Sequence, residues 1–139
     1  MQDRILSALP IIALPLLGLL AVFVYWPGLH GTFLFDDYGN LPALGTYGPV
    51  DNWPTFWRYI TSGIADPLGR PLALLTFLLD ARNWPADPFP FKRTNLILHI
   101  GNGLLLYKLL VTLGRRLNYD SRRVRTAALL GCSLWLLHP

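Results

Sequence analysis

From Ile5 to Trp26 the chain carries no charged side chain. A run of about 20 such residues, wound as a helix, crosses a hydrocarbon core of about 30 Å. No other feature limits the fold as strongly, because in lipid only helices and closed barrels satisfy their own backbone. Pro10 and Pro15 lie inside the run, and membrane helices tolerate them. Tyr25 and Trp26 close it, as interfacial aromatics do. A cleaved signal peptide is the competing reading. The stretch exceeds an h-region, however, and no small-x-small cleavage site follows it. Composition points the same way: of 139 residues 53% are hydrophobic and 14% charged, and the mean hydropathy is +0.38. A soluble domain is roughly a quarter charged. The expected fold is therefore an all-α membrane protein.

Residues 27–91 differ in character. They hold six of the eight acidic residues, all eight of which are Asp, together with Arg58, Arg70, Arg82 and a spread of Pro, Gly and Trp. This segment reads as a large ordered loop with short helices. One is expected from Asn52 to Thr61, with Pro54 in its first turn. Another is expected from Arg70 to Arg82; its apolar part is too short to span and suits an interface or the underside of the loop. Residues 92–114 form a second expected span, bounded by Lys92-Arg93 and Arg115-Arg116. Residues 115–125 read as a basic connector, with five Arg against Asp120. The positive-inside rule places it in the cytoplasm, with the N-terminus inside and the loop outside. Residues 126–139 read as a third, incomplete span: the apolar run Thr126 to Leu137 would rise only about 18 Å. Its abrupt end suggests the N-terminal part of a longer protein.

The net charge of +4 is gathered at the connector, so it is not a nucleic-acid signal. Cys132 is the single cysteine, which excludes an internal disulfide and zinc sites built on Cys pairs. No P-loop, dinucleotide fingerprint, nucleophile elbow or His-Glu-x-x-His is present.

Asp36-Asp37 is the sharpest candidate for chemistry. It lies about ten residues past the first span, within about 35 Å of the interface even if fully extended. A carboxylate there can act as a base on a substrate held at headgroup level. The same residues, Asp-Asp-Tyr-Gly-Asn, also suit a simple turn. Arg70 precedes a helix start, where an Arg opposes the helix dipole but suits an anion. A salt bridge to a loop aspartate is the plain alternative. Lys92 and Arg93 are placed to anchor at the interface and attract lipid phosphate. Asn95, His99 and Asn102 share one helix face, as glue between helices or as the lining of a cavity. His138 closes the third run. A divalent metal is compatible with His138 and the aspartates, but the spacing does not require one.

The ordered set resembles the N-terminal region of polytopic GT-C glycosyltransferases. It comprises Gly-x-Phe-x-Phe-Asp-Asp over residues 31–37, Arg70-Pro71-Leu72, Asn95-x-x-x-His99-x-x-Asn102 and a Leu-His-Pro end. It is most similar to bacterial relatives of protein O-mannosyltransferases, including those bearing tetratricopeptide repeats. The resemblance implies a partial GT-C fold in a bacterial inner membrane. It implies a polyprenyl-phosphate sugar donor on the outer face and a hydroxyl acceptor on a protein, lipid or glycan. Asp36 would be the catalytic acid position, with Asp37 beside it. Asp37 stands where the eukaryotic enzymes have Glu. Arg70 would stabilise the leaving phosphate, with Lys92 and Arg93 nearby. Asn95, His99, Asn102 and His138 would line the cavity. The alternative is a non-catalytic membrane module that assembles with another membrane protein.

Overall fold

The computed structural model describes residues 2–64 and 67–138, with side chains from residue 10 onward. Asp66 and Pro139 fall outside the described residues. The described residues form helices and no named strand: α1 (Gln2–Leu29), α2 (Asp37–Asn40), a 3-10 helix (Leu41–Leu44), α3 (Trp53–Ile60), α4 (Pro71–Phe77), α5 (Pro88–Arg116) and α6 (Ser121–Leu137). The chain divides into a helical unit, Met1–Pro27 with Asn95–Pro139, and a loop unit, Gly28–Thr94.

Two helices are long and apolar enough to cross a membrane. They contain Pro10–Leu29, of mean hydropathy 2.0, and Pro88–Arg116, of mean hydropathy 1.7. A core helix of a soluble protein would be mostly buried, yet only 6% and 17% of these apolar windows are buried within the chain. α1 is continuous through Pro10, Pro15 and Pro27. α5 starts at Pro88, ahead of the expected 92, because Pro suits a first turn and Asp87 Oδ1 accepts the Phe89 N–H at 3.0 Å. Lys108 lies within α5 and is exposed, so its charge must snorkel along its own stem.

The basic stretch is not one connector. α5 ends at Arg116, where Asn118 adopts φ 59. Asn118 N–H donates to Arg115 O and Tyr119 N–H to Gly114 O, each at 3.1 Å, which is a Schellman cap. Asp120 then caps α6, its Oδ1 accepting from Arg122 N–H at 3.1 Å and Arg123 N–H at 3.0 Å. Arg122, Arg123 and Arg125 therefore sit in the opening turns of α6, which starts at Ser121 rather than Thr126. Its 17 residues rise about 25 Å, still short of a hydrocarbon core of about 30 Å.

Within the helical unit one buried cluster is Ala21, Cys132 and Leu136, and Leu96, Val124 and Ala128 are buried besides. Small residues let helices approach closely in lipid. A Cβ on Gly103 would meet the Leu136 side chain at 2.6 Å, and one on Gly114 would meet Val124 at 2.7 Å. Cys132 is buried, and its Sγ–H donates to Gly103 O at 3.2 Å.

The loop unit has a core of its own, built on Phe33, Leu41, Leu44, Val50, Tyr59, Ile60, Leu74 and Phe91. Phe33 is its hub, with ring centroids 5.3 Å from Trp84 and 5.6 Å from Phe91. α3 has the expected bounds: Asn52 and Thr55 form a capping box, with Pro54 in the first turn. α4 stops at Phe77, short of Arg82, because the chain tightens there. Leu79 N–H donates to Thr76 O and Asp80 N–H to Phe77 O, both at 3.0 Å and both i→i−3.

Candidate functional site

The loop unit brings Asp36, Asp37 and Arg70 together across a gap of more than thirty residues. With Asn40, Ala73, Leu74 and Phe77 they line one hollow of about 160 Å³. Asp36 is the N-cap residue of α2, but its side chain makes no cap hydrogen bond. Among the described residues only its backbone oxygen is engaged, by Asn40 Nδ2 at 2.9 Å and by the N–H groups of Gly39 and Asn40. The Asp36 side chain is exposed, whereas Asp37 is half-buried. Asp37 Oδ2 accepts the Leu34 N–H at 2.9 Å and so ties the turn that carries both acids. Both acids therefore sit in a turn: Asp37 ties it through its side chain and Asp36 through its backbone oxygen.

Backbone strain collects at the same place. Among the described residues three non-glycine residues have positive φ: Phe35 at 39°, Arg70 at 48° and Asn118. Two of the three adjoin or line the hollow. Each such residue costs about 1–3 kcal/mol, which the surrounding structure must hold in place. Around Arg70 the support is visible. Gly69 also has positive φ, 71°, and Gly63 lies so close to the Gly69 backbone that no Cβ fits there. Arg70 itself opens α4, with Pro71 as the first helical residue.

Lys92 and Arg93 do not join the hollow. Lys92 Nζ donates to Gly28 O at 3.1 Å. Arg93 pairs with Asp80 at 4.0 Å, and Asp80 also accepts the Thr94 hydroxyl at 2.6 Å. Asp80 is the polar residue that sequence reasoning passed over. Its side chain is 2% exposed and its Oδ2 has no hydrogen-bond partner. The one available signal was a single Asp following the apolar residues of α4.

Asn95, His99, Asn102 and His138 belong to the helical unit. His99 acts there as a joint: its Nε2–H donates to Leu136 O at 3.3 Å, its ring stacks on Trp135 and its edge meets Tyr25. Tyr25 OH donates to His138 O at 2.7 Å. Asn95 and Asn102 are exposed. Among the described residues no three His, Cys, Asp or Glu side chains gather as a metal would need.

Chemically, the lining of the hollow includes an exposed aspartate and an arginine. Such a pair can take a proton from a hydroxyl and steady an anion. Comparison with protein-family models, with curated proteins and with solved structures finds no match to this chain.

Proposed function

We propose that this is a bacterial integral membrane protein whose loop unit carries the catalytic carboxylate of a GT-C-type glycosyltransferase. It would move a sugar from a polyprenyl-phosphate donor to a hydroxyl acceptor on the outer face of the inner membrane. The observation that carries this reading is the hollow lined by both Asp36 and Arg70, with strained backbone at Phe35 and at Arg70 itself. The basic α5–α6 turn supports the orientation with the N-terminus inside and the loop outside.

Asp36 is the base, because Asp37 is already tied to Leu34 N–H. Asp36 takes the proton of the acceptor hydroxyl as its oxygen bonds to the anomeric carbon. The bond from that carbon to the donor phosphate oxygen breaks, and the electron pair leaves on the phosphate. Arg70 stabilises that charge as it develops.

A second reading, a non-catalytic module that docks on another membrane protein, draws on the exposed leucines of α4, Leu72 and Leu75, with Leu79 one turn on. One experiment separates the two. Membranes containing the protein, expressed from its complete reading frame, are assayed for transfer from polyprenyl-phosphate sugars. Asp36→Asn should lower the rate by about 10²–10⁴-fold. Asp37→Asn should act less, through the turn. Unchanged transfer in Asp36→Asn would sink the catalytic reading.

A further inference from the structure

The α5–α6 turn combines a basic rim with an apolar hollow, and the function proposed for the loop unit uses neither. The hollow, about 290 Å³, is walled by Leu110, Gly114, Val124, Ala127 and Ala128. An apolar cavity of about 150 Å³ is enough to take up benzene. Its only polar lining groups are Tyr119 and Arg123. A second, more open groove shares Arg123 and Ala127 and adds Arg122, Asp120, Thr126 and Leu130. Arg123 thus stands between an apolar slot and a basic surface.

The charge at this turn is uncompensated. Arg115, Arg116, Arg122, Arg123 and Arg125 face a single carboxylate, Asp120. Asp120 Oδ1 is turned onto two backbone N–H groups of α6. Among the described residues no carboxylate lies within ion-pair distance of Arg115, Arg116, Arg122 or Arg123. The geometry is rigid as well. A Schellman cap and an N-cap follow one another without a spare residue, and the cap places Tyr119 where it lines the hollow. Basic pockets between membrane helices on the cytoplasmic side hold anionic headgroups.

We propose that the α5–α6 turn binds one anionic phospholipid of the bilayer, its phosphate on Arg122 and Arg123 and the start of an acyl chain in the hollow beside Tyr119. A zwitterionic lipid lacks the net charge that this rim matches. A free phosphate leaves the slot empty. The proposal rests on α5 being a membrane span and is independent of sugar transfer.

The test is native mass spectrometry of the full chain released from neutral detergent micelles. Short-chain phosphatidylglycerol, phosphatidylcholine of the same chain length and inorganic phosphate are the probes. One phosphatidylglycerol should be retained saturably, in preference to the other two. Arg123→Gln should weaken retention by about tenfold or more, as expected for a lost charge-assisted hydrogen bond. Ala127→Leu, at an exposed position on the hollow, fills the slot without altering charge and should also weaken it. Arg116→Gln, off both grooves, should leave it within about twofold. Equal retention of both lipids overturns the proposal. So does an equal loss in Arg116→Gln and Arg123→Gln, which would mean diffuse charge alone. Full retention in Ala127→Leu, or inorganic phosphate held as well as the lipid, overturns it too. Circular dichroism confirms that each variant remains helical.

Discussion

The loop unit and the helical unit bury their apolar groups to different extents. The loop unit has a core of large side chains: Leu41, Leu44, Tyr59 and Leu74 are each at most 2% exposed, although Phe35, Leu72 and Leu79 stay outside it. In the helical unit most large side chains turn outward, Leu136 being buried. Ile11, Leu19, Phe23, Leu105 and Leu134 are all more than 60% exposed, while the fully buried positions include Ala21 and Cys132. The loop unit is organised as a water-folded domain with a hydrophobic core. The outward apolar surface of the helical unit suits lipid, where apolar burial between helices gains little and close packing of small residues decides. The candidate site lies on the unit with the core, and such a core can hold Phe35 and Arg70 in strained conformations.

Three substitutions test this contrast, each read as regional amide exchange in detergent micelles. Phe33→Ala removes the aromatic hub of the loop core and should cost about 3–5 kcal/mol there. Exchange should rise across residues 28–94 and stay unchanged in α6. A matching rise in both regions would mean that the two are one cooperative body. Gly103→Ala forces a methyl into Leu136 and should cost about 1–3 kcal/mol, confined to the α5–α6 seam. If the seam does not respond, close packing is not what holds it. His99→Ala removes one hydrogen bond to Leu136 O, worth about 0.6–2 kcal/mol between membrane helices. Faster exchange in the last turn of α6 is expected.

Tyr59→Phe should have the smallest effect and sharpens the picture of the loop core. The Tyr59 hydroxyl is buried with no partner, so its loss should be neutral or stabilise by up to about 1 kcal/mol. Burial also raises the Tyr59 pKa above its ordinary 10.0. Above pH 10 the unfolded chain therefore loses this proton while the folded chain keeps it, and stability falls as pH rises. That fall should shrink in Tyr59→Phe, measured by thermal denaturation between pH 9 and 11.

Much of this was legible in the residues. The uncharged run from Ile5 is apparent without any coordinates, because lipid leaves the backbone so few alternatives. Pro54 in a first turn marks α3 in the sequence, and the structure adds the capping box between Asn52 and Thr55. The α5–α6 turn was equally local but harder to read. Asn118 and Asp120 are ordinary cap residues, yet the density of arginines around them looked like a connector rather than two helix ends. Lys92 and Arg93 looked like one phosphate-binding pair. Their actual partners, Gly28 O and Asp80, lie far away along the chain.

The sequence alone determined two bilayer-length helices, with an acidic loop between them and a basic turn after the second. Those features follow from hydropathy, charge and caps, all of which act over a few residues. Tertiary structure alone brought the acids to Arg70. Asp36 and Asp37 are neighbours of identical chemistry; a local bond ties Asp37 to Leu34 N–H, and the fold sets both acids in one hollow with Arg70, Leu74 and Phe77. The reason is physical: those walls come from residues more than thirty positions away, which no local pattern of a few residues can place.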